Sequence, residues 1–342
     1  MRIAWFRDTT PDTSDPLDAA ALLTDQLRSS HDVDVITESG AHDFVWQHLQ
    51  RPWDLCVYEL DDSPAHEFIP AYLVNYPGVV MLRSTDVAHL RVLLLASRSV
   101  VTSNAANAEL LHAAYPQVHV RVAPIAIGSP REAAHEHEGP ARVAVFDSRP
   151  WDGAVVGRAM RRARDAGAAF ELLEPDARTI AACDIVIAPG WPPFHHTPTA
   201  LLAGMAAGKA VVTTEMEATA EWAALDPQTW RPRGVAVGDA PIAVTIDPRD
   251  EEHSLMLALR RLSSDAALRE ELGRSAQRWW KTHATPEHAA AAWKQILEEA
   301  ATLSPPPRPD DWPKQFAEDG TGFARAILKE FGFPPTDTLA RS

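Results

Sequence analysis

Residues 184–215 constrain the fold of this chain more than any other stretch. They open with the short apolar run Ile185-Val186-Ile187, which reads as a buried parallel strand. Gly190, Trp191, Pro192, Pro193 and Phe194 follow as a loop that no helix can cross. Thr197 then offers an N-cap hydroxyl and Pro198 suits the first helical position, so a helix is expected from there to Gly208. Val211 and Val212 open the next strand. The loop of such a strand–loop–helix–strand unit lies at the carboxyl end of its strand. Open parallel sheets bind ligands there, with the free N–H groups of the helix turned toward an anion. Pro198 has no N–H, which leaves Thr199 and Ala200 as the donors. By itself the unit establishes a fold class and no function.

The same alternation runs through the chain. Residues 3–6 read as a first strand, followed by a helix with Asp15 as N-cap, Pro16 at N1 and Asp18 at N3, carrying Leu17, Ala20, Leu23 and Leu27. Strands are expected at 33–36, 54–60, 79–82, 100–104 and 120–124, with helices through Phe68 and Leu73 and through Leu110 and Leu111. This spacing predicts a parallel, doubly wound α/β sheet. No Gly-x-Gly-x-x-Gly run follows the first strand, so the dinucleotide fingerprint is missing. The pattern restarts with a strand at 142–146, a helix through Val155, Met160 and Ala163, a strand at 170–173 and a single helical turn at 177–182. It loosens through Pro227, Arg231 and Arg233, then gives a strand at 242–246. Helices through Leu255, Leu259 and Leu262, through Leu268 and Leu272, and from Thr285-Pro286 through Trp293 and Leu297 close it.

This spacing divides the chain into a first domain at 1–128, a linker at 129–140, a second domain at 141–303 and a tail at 304–342. The tail, proline-rich at 304–309 and apolar at Phe316, Phe323, Ile327, Leu328 and Phe331, is expected to pack back or to contact a partner in a homo- or hetero-oligomer. His135 and His137 sit in the polar linker, where no third ligand stands at a familiar metal spacing, so a solvated linker is the better reading.

Composition narrows the function classes. A chain of 342 residues is longer than one core usually supports. No apolar run reaches the roughly 20 residues of a membrane span, and the start is too short and too quickly charged for a signal peptide. Cys56 and Cys183 lie in apolar runs and read as buried thiols, which fits a reducing cytoplasm. The formal net charge of −15 argues against nucleic acid as partner. An anionic small molecule would need local positive charge against this background, which makes the placed arginines informative.

Several segments occur in the order of a known family: Tyr58 to His66, with Asp62 in place of its asparagine; Tyr76-Pro77-Gly78-Val79-Val80; the Trp191-Pro192-Pro193 loop with Ala207-Gly208-Lys209-Ala210-Val211-Val212; and Leu268 to Gly273. Together they resemble the retaining glycosyltransferases of GT-B architecture, the mannosyltransferase and sucrose-synthase-like group. The resemblance implies two Rossmann-like parallel-sheet domains facing a cleft, the second one shortened between Leu173 and Asp184. It implies transfer of a sugar from a nucleotide-sugar donor to an unidentified acceptor, with no metal and no cofactor beyond the donor itself. The residues it brings forward are His66, Arg83 and His196 for catalysis. Arg149, Gly190, Trp191, His195, Thr197, Thr199 and Ala200 would face the donor, and Asp62, Ser84, Ser103 and Asn104 the acceptor.

The chain departs from the family's pattern at several positions. Arg83-Ser84 replaces a His-Asp pair, His195 or His196 replaces one glutamate of the donor loop, and Ala203, which cannot accept a hydrogen bond, replaces the other. Of an Arg–Lys pair on the diphosphate only Arg149 remains. His66, next to two acids, reads equally as a ligand or a structural side chain, and Arg83 equally as an anion ligand or a salt bridge to Asp86 or Asp62. Two other functions fit the same residues: a catalytically inactive glycosyltransferase-like protein that binds a nucleotide or sugar or serves as an accessory subunit, and a different α/β transferase or epimerase.

Overall fold

The computed structural model describes residues 1–8, 17–61, 64–83, 89–129, 139–146, 153–176, 179–190, 199–216, 219–233, 240–313, 316, 327 and 329–331. Its first half alternates β1 (Arg2–Phe6), α1 (Ala19–Leu27), β2 (Asp32–Ile36), α2 (Glu38–Gln50), β3 (Leu55–Leu60), α3 (Ile69–Asn75), β4 (Val79–Leu82), α4 (Leu90–Ala96), β5 (Ser99–Thr102), α5 (Ala105–Ala114) and β6 (Val120–Val122). The six strands pair in the order β2-β1-β3-β4-β5-β6, every pair parallel. The second half runs β7 (Ala141–Val145), α6 (Gly153–Asp165), β8 (Phe170–Leu173), α7 (Thr179–Ala182), β9 (Ile185–Ala188), α8 (Thr199–Ala206), β10 (Ala210–Thr214), β11 (Ala224–Leu225), β12 (Pro232–Arg233) and β13 (Ala243–Ile246). Helices α9 (Glu251–Ser264), α10 (Ala266–His283) and α11 (Pro286–Thr302) follow. The second sheet is ordered β12-β11-β13-β10-β9-β7-β8.

Both sheets are parallel α/β sheets, as the alternation predicts, with a difference at one edge. Strands β11 and β12 pair antiparallel with each other, two residues apiece. They are too short to show a period in the sequence. Each sheet reverses strand order in its interior, between β1 and β3 and between β7 and β9, and the second does so again near its edge, where β13 lies between β10 and β11. Such switch points open a crevice at the carboxyl ends of the strands.

Local chemistry explains several boundaries. Helix α1 starts at Ala19, later than Pro16 implied, because the Asp18 carboxylate accepts from the Ala21 amide at 2.9 Å and so caps the helix itself. Asp15 and Pro16 lie outside the described residues. Helix α2 escaped the apolar period because it buries only Ala41 and Phe44 and leaves Trp46 and Leu49 exposed. Helix α4, also unforeseen, begins after His89, which sits in the left-handed region at φ 60°. Cys56 and Cys183 are free buried thiols, and burial pushes both up to about 12.

Helix α11 leaves the second half and packs on the first sheet. Thr285 caps it through the His288 amide and Pro286 occupies its first turn. Its Ala289, Trp293, Ile296, Leu297 and Ala300 share a core with Ile3, Trp5, Leu23, Leu27 and Val57. The chain therefore crosses between halves twice, and the crossings are tied together. The Ile127 amide donates to Ala284 O at 3.3 Å, and Trp280 Nε1 donates to Ile127 O at 3.1 Å. Past α11 the tail returns to the first half, where Trp312 and Phe316 pack on its core and Arg91 pairs with Asp311 at 3.0 Å. Among the tail's other apolar residues, Ile327 and Phe331 are exposed and Phe323 and Leu328 lie outside the described set. No helix among the described residues is long and apolar enough to cross a membrane.

Candidate functional site

The first sheet carries charge where its strand order reverses. Alternation along β3 places Cys56, Tyr58 and Leu60 in the core under α3, and Leu55, Val57 and Glu59 on the face covered by α1 and α11. Glu59 is therefore fully buried. Trp5 Nε1 donates to its Oε1 at 2.6 Å, Arg7 Nε lies 3.8 Å from Oε1, and Arg83 Nη1 lies 3.6 Å from Oε2. Burial raises the Glu59 carboxyl above its ordinary range, with Arg7, Arg83 and the Trp5 N–H opposing the shift. Arg7 also reaches Asp18 at 3.1 Å, so the cap of α1 is joined to this cluster.

His66 ends a short 3-10 turn, Pro64–His66, after β3. Its Nδ1 lies 2.5 Å from Asp61 Oδ1 and its Nε2 3.8 Å from Asp8 Oδ1, and the side chain is 3% exposed. In this conformation it ties the loop after β1 to the loop after β3, while its Nε2 has no hydrogen-bond partner among the described residues. Both roles read from the sequence, ligand and structural side chain, are compatible with this placement.

Across the crevice, α8 lies almost entirely in the core, Ala200 through Ala206 all being buried. Gly204 permits this approach: a Cβ there would stand 3.0 Å from both Val186 Cγ2 and Val211 Cγ1. The amino end of α8 consequently meets the first half. One pocket is lined by Ala20, Leu82, Arg83, Thr102, Ser103 and Ile125 from the first half and by Thr199 from the second. Arg83, at 40% exposure of its side chain, is the cation that faces it. Beside it a groove of about 380 Å³ runs from Ser103 and Asn104 to Leu202, Trp222, Trp279 and His283. Asn104 caps α5 through the Asn107 amide at 2.8 Å.

Thus Arg83, Ser103, Asn104 and Thr199 gather along the crevice, and Ala200, next to Thr199, is buried. Among the described residues Arg83 pairs with Glu59; Asp86 and Asp62, the partners read from the sequence, lie outside them. Gly190 follows β9, and its amide donates to Thr214 Oγ1 at 3.0 Å. Asp62, Ser84, Arg149, Trp191, His195, His196 and Thr197 lie outside the described residues. The sequence reading missed Arg7, Glu59 and the joining role of Asp18. The signal was there: a carboxylate within the apolar strand 55–60, and an arginine directly after the first strand.

No family model matches the sequence, and no curated protein matches it significantly. The structure, in contrast, resembles solved glycosyltransferases over nearly the whole of both chains. HepE of Anabaena, solved with UDP-glucose, is 14% identical with a TM-score of 0.56, covering 89% of this chain and 100% of its own. The fold is GT-B. A glycosyltransferase of Rickettsia africae is 11% identical with a TM-score of 0.52, covering 89% and 99%. AviGT4, a glycosyltransferase involved in avilamycin A biosynthesis, is 14% identical with a TM-score of 0.50 over the same shares. At these identities the likeness is one of fold. In GT-B terms β1–β6 with α11 form one side of the cleft and β7–β13 the other.

Proposed function

We propose that this GT-B protein transfers a sugar from a nucleotide-sugar donor to an acceptor, the donor lying between the halves. One observation carries the reading: Arg83 and the start of α8 at Thr199 line the same pocket from opposite sides. A departing nucleoside diphosphate would meet the amides of Thr199 and Ala200 and the Arg83 guanidinium, with Arg149 as a further cation. Preformed donors of this kind stabilise the charge that develops on the leaving group, and the reaction then calls for no metal. HepE, a protein of the same fold, holds UDP-glucose, which supports this class of donor. Ser103 and Asn104, with Asp62 and Ser84, would meet the acceptor. His195 and His196 would contact the sugar, and His66 would position the Asp8 and Asp61 loops. The ordered motifs at 58–66, 76–80, 191–212 and 268–273 support placing the chain with the retaining, mannosyltransferase-like group.

A second reading, a scaffold that binds nucleotide without transfer, is favoured by one residue. Ala203 stands where the resembling family has a glutamate, and it is wholly buried in α8. Incubation with UDP-, GDP- and ADP-sugars separates the two. Release of free nucleoside diphosphate establishes the enzyme. A thermal-midpoint rise without release establishes the scaffold. Neither response to any donor overturns both.

A further inference from the structure

The first sheet has a cavity at the end away from the crevice. Ser97 and Arg98 lead into β5 and Val118 and His119 into β6, so these residues stand at the amino ends of parallel strands. Residues 303–309 run along them as a strap and border a half-open cavity of about 550 Å³, within the roughly 300–1,000 Å³ of small-molecule sites. Prolines at 305, 306, 307 and 309 fix the strap's φ angles and keep it extended. It is pinned where Arg308 Nη2 donates to Val74 O at 3.2 Å and where Arg91 pairs with Asp311. Such a strap leaves the cavity preformed.

The lining has an unusual charge for this chain. It contains Arg98, Arg308 and His119 and no aspartate or glutamate, although acids outnumber lysine and arginine by 47 to 32 overall. Arg98 Nε is buried without a hydrogen-bond partner among the described residues. No ion pair of at most 4.0 Å links Arg98 to a carboxylate among them either. A buried guanidinium N–H is costly to leave unmade, and the planar fork of an arginine matches a tetrahedral oxyanion. Ser304 and Gln117 add polar groups at the rim, while Leu94, Leu95 and Val118 give the cavity an apolar side.

We propose that the strapped cavity is a second binding site, separate from the cleft, for a phosphate group carried on a small organic body, with Arg98 and Arg308 as its ligands. Free phosphate and a phosphate monoester share the recognised chemistry. The apolar wall and the volume favour the monoester.

The test is a thermal-shift titration of the full-length protein at constant ionic strength with inorganic phosphate, glycerol phosphate and chloride. A saturable rise is expected with both phosphates and none with chloride, with glycerol phosphate acting at the lower concentration if the body of the ligand is also held. Arg98→Gln and Arg308→Gln are each expected to raise the half-saturating concentration at least tenfold. Arg83→Gln, in the cleft, leaves it unchanged, which separates this site from any phosphate bound there. If Arg98→Gln does not fold, Arg308→Gln on the strap decides alone. A native protein without a saturable response, or a response undiminished in the folded variants, overturns the proposal.

Discussion

Trp293, in the last long helix, packs against Trp5 of the first strand with ring centroids 5.3 Å apart and planes at 50°. Trp5 is fully buried and also donates its indole N–H to Glu59, so one aromatic pair links the returning helix to the charged cluster at the crevice. The start and the end of the folded core are thus one packing unit.

Truncating Trp293 to alanine is expected to cost about 3–5 kcal/mol, the usual range for a large buried aromatic. Urea denaturation followed by far-UV circular dichroism measures it. A loss below about 1 kcal/mol would show that α11 is not held by this contact.

Glu59→Gln tests the buried carboxylate. Its folded-state pKa lies above the unfolded value, so the stability attached to its neutral form is present in full below the ordinary glutamate range. That stability is lost as pH rises through the raised folded value. The native protein should therefore lose thermal midpoint relative to Glu59→Gln as pH climbs from about 4 toward neutrality. A pH-independent difference between the two contradicts a raised pKa.

Arg83→Gln is expected to weaken binding of a nucleoside diphosphate about tenfold or more, with the thermal midpoint little changed, because a half-exposed cation contributes more to an anion than to the fold. Titration calorimetry with UDP, GDP and ADP reads the affinity. Equal affinity in both proteins removes Arg83 from the proposed phosphate site.

Gly273→Ala should destabilise by about 1–3 kcal/mol, because the added Cβ would stand 2.0 Å from the carbonyl oxygen of Gly208, a backbone atom that cannot swing aside. Gly208 itself holds φ 70°, which fixes the approach of α8 to α10. Unchanged stability would mean that α10 can retreat from α8 at no cost.

The architecture was legible because parallel strands buried on both faces write themselves as short apolar runs. Runs such as Ile185-Val186-Ile187 appear where expected. Elements that bury little, such as α2 with Ala41 and Phe44, or that pair over two residues, such as β11, leave no period to read. The crevice was legible only in part. Thr199 and Arg83 follow from strand ends and helix starts, whereas the attachment of Arg83 to Glu59 depends on which face of β3 the glutamate occupies. The hydrogen bond from the Gly190 amide to Thr214, 24 residues on, is likewise a pairing that the local sequence does not announce.

The hydrogen bonds joining Ile127 to Ala284 and Trp280 have a mechanical consequence. Two connections fastened to one another make a single joint between the halves, so the join at that edge does not depend on either strand of chain alone. A guest that touches both sheets would add a second point of attachment across the gap.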